Sequence, residues 1–197
     1  MFRAPGLELV AKEIAALQRS DILDLGSPCG ANVDFLSQFS CVLHIGDAFR
    51  TLAEEPEMYV PEEERDPDFE DERDLEGIAE RLLAYRDGTR FDAVFAWDLL
   101  DYLDEAASRA VMRRLGHYCR TGTLIYLTTS NRETIPDQPG RFTIVDEQHL
   151  RFERVGVGTR NGMRHSPRGL ERIMPGFRLQ HSFMLGYELQ DYLFSHV

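Results

Sequence analysis

The chain has 197 residues, of which 43% are hydrophobic and 28% are charged, a composition typical of one globular domain. No apolar run approaches the roughly 18–20 residues that a membrane span needs, and residues 1–18 lack the continuous apolar stretch of a signal peptide. The three cysteines and the scattered histidines lack metal-ligand spacing, so we expect reduced thiols, no metal site and a cytoplasmic location.

The formal net charge of −12 is concentrated in one segment. Residues 54–76 contain thirteen acids and two arginines, and therefore carry −11 of that charge. Such a segment repels a phosphate backbone, which argues against a nucleic-acid partner. Because it also has three prolines and few apolar residues, we expect a solvated acidic insertion at about 54–74, with a lid over a pocket as the functional alternative.

The N-terminal quarter of the chain predicts one strand–helix–strand unit. After a helix with apolar spacing over 7–18, the run 21–26 predicts a short buried strand that stops at a glycine. Residues 30–39 have helical spacing with Val33, Leu36 and Phe39 directed inward, and the apolar run 41–45 predicts a second strand. This order predicts two parallel strands joined by a right-handed crossover.

The remaining chain continues the alternation of helices and strands. Asp74 and Ser166 are predicted helix N-caps, the second followed by proline at the first helical position. The predicted elements are helices at 48–53, 74–85 and 104–118 and from 167, strands at 91–97, 123–129, 177–185 and 189–194, and short strands at 142–145 and 150–155 within a turn-rich stretch over 131–165. This order predicts a single α/β domain over 1–197, three-layered and Rossmann-like, whose mostly parallel sheet ends in an antiparallel C-terminal hairpin.

Ligands of open α/β sheets bind beyond the carboxyl ends of the strands, where this chain places glycines and acids. The first strand of the unit ends in Asp24, followed by Gly26 and Gly30, and the second strand ends at Asp47. Gly26 permits a tight turn, and a carboxylate at the tip of the second strand can accept both hydroxyls of a ribose. The pair predicts a site for a nucleoside-type cofactor.

The arrangement resembles the class I S-adenosylmethionine-dependent methyltransferase family. The family's first motif is an acid followed by three glycines at alternate positions, and Asp24, Gly26 and Gly30 match it, whereas Pro28 replaces the middle glycine. Asp47 matches the acid of the next strand, and the segment 91–106 resembles the fourth-strand block. The resemblance covers about 150 residues of the 197.

The resemblance implies that the chain binds S-adenosylmethionine and methylates a small molecule or a protein side chain. The residues implied in cofactor binding are Asp24, Gly26, Ser27, Gly30, Asp47, Ala48, Ala96, Trp97 and Asp98. No catalytic residue is predicted, because methyl transfer depends mainly on alignment of the reacting atoms and exclusion of water. On the substrate side, the candidates are Tyr102, His149, Arg151 and His165. The family's third strand has only Met58–Val60 as a candidate, so adenine recognition is unassigned.

Several of these residues also have a purely structural interpretation. Asp24 can bind the backbone of its own turn, Trp97 can belong to the core rather than to a stacking wall, and Asp98 can cap the next helix.

Two other functions compete with methyl transfer. A non-catalytic relative would have a pocket damaged by Pro28 and would bind a basic partner through the acidic insertion. A nicotinamide dehydrogenase would need Gly-x-Gly-x-x-Gly, whose third and sixth positions are Pro28 and Ala31 here. The methyl acceptor and the oligomeric state are not predicted.

Overall fold

A computed structural model of the chain describes residues 1–55 and 73–197. The helices are α1 (Pro5–Ala16), α2 (Gly30–Leu36), α3 (Ala48–Glu54), α4 (Leu75–Leu82), α5 (Glu105–Gly116) and α6 (Pro167–Ile173). The strands are β1 (Phe2–Arg3), β2 (Ser20–Asp24), β3 (Cys41–Ile45), β4 (Phe91–Trp97), β5 (Cys119–Ser130), β6 (Thr134–Pro136), β7 (Arg141–Asp146), β8 (His149–Glu153), β9 (Thr159–Asn161), β10 (Phe177–Met184) and β11 (Leu189–His196).

A six-stranded sheet with the order β10-β11-β5-β4-β2-β3 forms the centre of the molecule. The four strands β3, β2, β4 and β5 run parallel, whereas β11 pairs antiparallel with both β5 and β10. The predicted α/β class, with a mostly parallel sheet and an antiparallel C-terminal edge hairpin, is therefore confirmed.

Alternate residues of the central strands enter two hydrophobic cores, one on each face of the sheet. Ile22, Ala93 and Phe95 pack with the buried residues of α1 and α2. Leu23 and Val94 point the other way and pack with the buried residues of α4, α5 and α6. This alternation follows from the two-residue period of a strand, and it gives the predicted three layers.

The predicted helix caps are present. The Asp74 carboxylate accepts a hydrogen bond from the backbone N–H of Gly77 at 3.0 Å at the start of α4. The Ser166 hydroxyl accepts one from Gly169 at 3.0 Å, and Pro167 occupies the first position of α6. Each cap satisfies one of the N–H groups that a helix start leaves without an intrahelical partner.

The turn-rich stretch 131–165 forms two small antiparallel sheets beside the central one. Strands β7 and β8 pair with each other, as the short strands at 142–145 and 150–155 predicted, and β1 adds to β8. Strands β6 and β9 pair separately.

One buried side chain fastens β7 to α2. The Asn32 amide donates to the carbonyl of Phe142 at 3.0 Å and accepts from the N–H of Ile144 at 2.8 Å. Of the residues predicted to face the core, Leu36 is buried and Phe39 packs against the core, whereas Val33 is only partly buried, because β7 covers the side of α2 that buries Asn32 and Phe35.

The acidic insertion lies mostly outside the described residues, as does Met58–Val60, the candidate for the family's third strand. In the sheet as described, β3 is an edge strand. The described ends of the insertion are paired: Glu55 with Arg81 at 2.8 Å, and Arg73 with Asp104 at 2.6 Å. Across 1–55 and 73–197, no helix is long and apolar enough to cross a membrane.

Candidate functional site

The ends of β2 and β3 bring Gly26 and Asp47 to the same edge of the sheet. Asp24 pairs in parallel register with Ile45, the last residue of β3. Just past these strands, the Ser27 hydroxyl donates to the Asp47 carboxylate at 3.2 Å. The predicted juxtaposition of the glycine turn and the strand-end acid is therefore present.

A cavity of about 530 Å³, here named the first cavity, opens between these two strand ends. Its size falls within the range of small-molecule sites in proteins. Four of the residues predicted for cofactor binding line it: Gly26, Ser27, Asp47 and Trp97.

Asp24 does not line the first cavity, but it is hydrogen-bonded to two residues that do. Its carboxylate accepts a hydrogen bond from the indole N–H of Trp97 at 2.6 Å and from the backbone N–H of Gly26 at 2.9 Å. Burial raises the pKa of Asp24, and these two hydrogen bonds partly offset that rise. The structural interpretation of Asp24, that it binds its own turn, is thus what the contacts show.

Gly26 is required by the close approach of Trp97. A Cβ atom at position 26 would lie 2.7 Å from Cδ1 and 2.8 Å from Nε1 of the indole, which is inside van der Waals contact. The indole is fixed by its bond to Asp24, so it is not free to move away.

Trp97 is both a core residue and part of the cavity wall. Its side chain is 2% exposed and stacks between Phe95 at 5.4 Å and Phe142 at 5.5 Å. Its backbone has a φ of 48°, a left-handed conformation that is rare for a bulky residue. Such conformations persist where the surroundings enforce them and are frequent at functional sites.

The Asp47 carboxylate accepts one described hydrogen bond, from the exposed Ser27 hydroxyl at 3.2 Å. Asp47 occupies the N-cap position of α3, but its side chain makes no capping hydrogen bond, and its backbone is left-handed with a φ of 42°. The nearest cation is Arg50, whose Nε lies 4.0 Å from the carboxylate. With only these two contacts, the Asp47 carboxylate can accept further hydrogen bonds from a ligand in the first cavity.

Pro28 does not obstruct this site. It is exposed and does not line the first cavity, and the space between Gly26 and Asp47 stays open. The replacement of the family's middle glycine thus leaves the strand-end geometry intact.

The other predicted cofactor residues do not line the first cavity. Gly30 is exposed at the first position of α2, whereas Ala48 and Ala96 are buried in the core. Asp98 is buried and lines a different cavity.

Sequence reasoning missed Asn32, Val155 and two larger groups of residues that line the first cavity. Phe49, Arg50 and Ala53 come from α3, and their position within the first two turns after Asp47 was the signal that predicts them. The segment 138–142 covers the opposite side of the first cavity. No local pattern predicts that second group, because its place depends on the packing of β7 against α2.

A second cavity of about 320 Å³ lies at the ends of β4 and β5. Asp98, Asp101 and Tyr102 line it, and Tyr102 is one of the substrate-side candidates. Burial raises the pKa of Asp98 to about 7, and burial together with the charge of Asp98 raises the pKa of Asp101 well above its usual range.

The remaining substrate-side candidates differ in their distance from the second cavity. His165 is buried with its Nε2 atom 3.8 Å from the Asp101 carboxylate, although it does not line the second cavity itself. His149 and Arg151 line neither of the two cavities. Within 1–55 and 73–197, no group of three or more His, Cys, Asp or Glu residues is arranged to hold a metal ion.

No family model matches the sequence, and no curated protein matches it significantly. Solved structures do match the fold. An S-adenosylmethionine-dependent methyltransferase from Clostridium acetobutylicum ATCC 824 is 11% identical, with a TM-score of 0.51 over 97% of this chain and 90% of its own. The N-methyltransferase NodS from Bradyrhizobium japonicum WM9 is 11% identical, with a TM-score of 0.51 over 98% and 94%.

The glycopeptide N-methyltransferase MtfA is 12% identical to this chain, with a TM-score of 0.52 over 98% of this chain and 90% of its own. MtfA has been crystallised with S-adenosylmethionine, S-adenosylhomocysteine and sinefungin. These identities are low, so the likeness is one of fold, and it extends over nearly the whole length of each chain.

Proposed function

We propose that this chain, which has the fold of the class I methyltransferases, binds S-adenosylmethionine in the first cavity and transfers its methyl group to an acceptor. The observation that carries the proposal is the meeting of Gly26 and Asp47 at neighbouring strand ends, on one cavity of about 530 Å³. Among α/β folds, this edge of the sheet is where nucleotide-like ligands bind.

The residues of the first cavity fit the parts of the cofactor. The Asp47 carboxylate, which caps no helix, would accept the ribose hydroxyls. Gly26 places no side chain next to the ligand. The apolar faces of Phe49 and Trp97 would border the flat or apolar parts of the cofactor. When bound, S-adenosylmethionine supplies a methyl group activated by a sulfonium sulfur.

The chain's own contribution to the reaction is alignment and exclusion of water. Trp97 and Phe142 stack at 5.5 Å with an interplanar angle of 12°, and they form an apolar wall beside the turn. Such a wall keeps water from the reacting atoms and holds the donor at a fixed place, which is most of what a methyl transfer needs.

The competing functions have less support. The non-catalytic alternative depends on Pro28 damaging the pocket, yet Pro28 is exposed and lines no part of the first cavity. The partner-binding part of that alternative falls on the acidic insertion, which lies mostly outside the described residues. The dehydrogenase alternative lacks its glycine motif.

Calorimetric titration of the wild-type chain with three ligands tests the proposal. We expect S-adenosylmethionine and S-adenosylhomocysteine to bind at micromolar concentrations and NAD not to bind. Binding of NAD in preference to both would support the dehydrogenase alternative, and absence of binding by all three would support the non-catalytic one.

A further inference from the structure

The proposed function gives no role to the second cavity, although its volume of about 320 Å³ is within the range of small-molecule sites. Asp98 and Asp101 form part of its wall, but they are only 4% and 2% exposed. A ligand in this cavity would therefore meet mainly the other residues that line it.

Part of that lining is apolar. Pro136 and Phe152 are partly exposed, Tyr187 is 61% exposed, and the buried Ile135 and Leu189 complete the group. Such groups favour an apolar or aromatic body, which leaves water when it packs against them.

Arg154 adds a positive charge to the lining, and it is exposed. Its Nη2 atom donates to the carbonyl of Val157 at 3.0 Å and to that of Gly158. In the part of the chain that the structure describes, its Nε and Nη1 atoms have no hydrogen-bond partner, and no carboxylate forms an ion pair with it. The guanidinium therefore keeps N–H donors and a positive charge for a ligand.

Arg132 brings a second guanidinium to the same cavity. Its Nε atom donates to the Glu188 carboxylate at 2.7 Å, but the two side chains are 53% and 66% exposed. Exposed ion pairs of this kind contribute little to stability, so Arg132 can also bind a ligand carboxylate at little cost.

The two buried acids do not offset this positive charge below neutral pH. Burial raises the pKa of Asp98 to about 7. Burial together with the charge of Asp98 raises the pKa of Asp101 well above its usual range. At pH 6 both carboxyl groups are therefore mostly uncharged, and the accessible lining is apolar and positive.

A strained turn holds Tyr187 and Glu188 beside the second cavity. The N–H of Leu189 donates to the carbonyl of Gly186, and the two residues between them are left-handed, with φ values of 64° and 59°. A hairpin turn with positive φ at both central positions favours asparagine and glycine, because other side chains are strained there. This chain has an aromatic residue and an acid instead.

Both side chains of that turn are connected to the second cavity. Tyr187 lines it, and its only described ring contact is with Phe2, edge to face at 5.9 Å. Glu188 pairs with Arg132, which lines it too. Backbone strain of this kind clusters at ligand sites, where the identity of the side chain matters more than the strain.

We propose that the second cavity binds a small organic anion, namely a carboxylate on an aromatic or other apolar body. Arg154 holds the carboxylate at the exposed edge of the cavity, and Phe152 and Tyr187 pack against the body. A guanidinium matches a carboxylate in charge and presents N–H donors to its oxygens. The inference goes beyond the proposed function, because it needs no methyl donor and gives this ligand no part in methyl transfer.

A set of matched probes tests the inference on the wild-type chain at pH 6, without any methyl donor. The probes are 3-phenylpropanoate, its neutral amide 3-phenylpropanamide, the cation 3-phenylpropylammonium and acetate, titrated by calorimetry or NMR. We expect 3-phenylpropanoate to bind about 10-fold to 100-fold more tightly than the amide, as charge-assisted hydrogen bonds imply. Equal or weaker binding than the amide or the cation, or no advantage over acetate, would overturn the inference.

Arg154→Gln locates the carboxylate. The affinity for 3-phenylpropanoate should fall about tenfold or more, whereas the affinity for the amide should stay the same, which shows that the cavity persists. The control is Arg151→Gln, an exposed arginine of β8 that lines neither cavity, and it should change neither affinity. An equal loss for the anion and the amide, or an equal loss in the control, would overturn the inference.

Tyr187→Gly separates binding from folding. Glycine adopts the left-handed backbone of this turn without strain, so the melting temperature should not fall. The affinity for 3-phenylpropanoate should fall several-fold, because the ring no longer packs against the ligand. A lower melting temperature with unchanged affinity would show that the ring serves the fold, and it would overturn the place of Tyr187 in the site.

Competition with S-adenosylhomocysteine separates this inference from the proposed function. It should not displace 3-phenylpropanoate, because it would occupy the first cavity. Displacement would place the anion in the first cavity, which has Arg50 and Arg141 in its lining, and would overturn the inference. A preference for the anion in a chain that does not bind S-adenosylhomocysteine would support the inference and overturn the proposed function.

Discussion

At the scale of single residues, the turn after β2 depends on contacts among Asp24, Gly26 and Trp97. Asp24 holds the indole of Trp97, and the indole occupies the place where any side chain at Gly26 would have to go. The acid of the motif therefore shapes the turn, and the acid at the next strand end, Asp47, is the one that lines the first cavity and can bind a ligand there.

Asp47→Ala tests whether Asp47 binds the ligand while Asp24 only shapes the turn. We expect the affinity for S-adenosylhomocysteine to fall about 10-fold to 100-fold, because two hydrogen bonds to a charged acceptor are lost. The melting temperature should hardly change, since the side chain caps no helix, its ion pair with Arg50 is long, at 4.0 Å, and its hydrogen bond from Ser27 is exposed.

Titration calorimetry and thermal melting measure both effects of Asp47→Ala. Asp34→Ala, an exposed acid on α2, is the matched control and should alter neither. An unchanged affinity in Asp47→Ala would show that the ribose is bound elsewhere.

Asp98→Asn is expected to change how stability depends on pH. Burial raises the pKa of Asp98 in the folded chain from the ordinary 3.8 to about 7, so the folded state holds a proton that the unfolded state releases. The free energy of unfolding therefore falls as pH rises from about 4 to 7 and stays low above that. The variant, which has no such proton, should be about 2–4 kcal/mol more stable than wild type at pH 8 and nearly equal to it at pH 4.

Urea unfolding at the two pH values checks the expectation for Asp98→Asn. The exposed Asp87→Asn should show the same small difference from wild type at both. A gain for Asp98→Asn that is as large at pH 4 as at pH 8 would mean that the carboxyl of Asp98 is not held protonated by the fold.

Some of these residues follow from the sequence and others do not. Gly26 and Asp47 are predicted because each stands directly after a recognisable strand, and parallel strands end at one edge. Asp101 and Asn32 are not, because their roles arise from partners far along the chain, Ser130 and β7. Asp98 is predicted as a site residue, but the structure puts it on the second cavity rather than the first.

At the scale of elements, the contact between α2 and β7 closes the first cavity from one side. A single amide, that of Asn32, makes both hydrogen bonds that bind the two elements through a buried side chain. It faces the backbone of β7, so no repacking of neighbouring side chains can replace it.

Asn32→Ala should therefore loosen this side of the cavity. Two buried backbone groups would lose their partners, and we expect the free energy of unfolding to fall by about 2–4 kcal/mol. Hydrogen exchange at the amide of Ile144, which donates to Asn32, should become faster.

Asn131→Ala serves as the control for Asn32→Ala, since Asn131 is an exposed asparagine whose side chain makes only a 3.6 Å contact with a methionine sulfur. Its stability should stay within about 0.5 kcal/mol of wild type. If Asn32→Ala were as mild as this control, the amide would not be what holds β7 in place.

The elements of the central sheet were predictable because their apolar periodicity and caps are local. The six central strands and the caps at Asp74 and Ser166 are where the sequence predicts them. The pairing of β1 with β8 was not predictable, because β1 has two residues and its partner is about 147 residues away. Strand pairs of this kind are selected by tertiary packing and not by local preference.

At the scale of the whole molecule, the two cavities share one wall. Trp97 lines the first and Asp98 lines the second, so consecutive residues at the end of β4 face different cavities. The rest of the wall comes from the segment 136–142, held by the bond from Gly140 to Asp98 at 3.3 Å and by the bond from Tyr102 to the carbonyl of Gln138 at 3.0 Å.

The position of a bound nucleoside tests the central claim most directly. A crystal structure of the chain with S-adenosylhomocysteine should show both ribose hydroxyls within hydrogen-bond distance of the Asp47 carboxylate, at about 2.5–3.0 Å. The sulfur should lie toward Trp97 and the shared wall. A nucleoside bound outside the first cavity, or ribose hydroxyls with no contact to Asp47, would contradict the account.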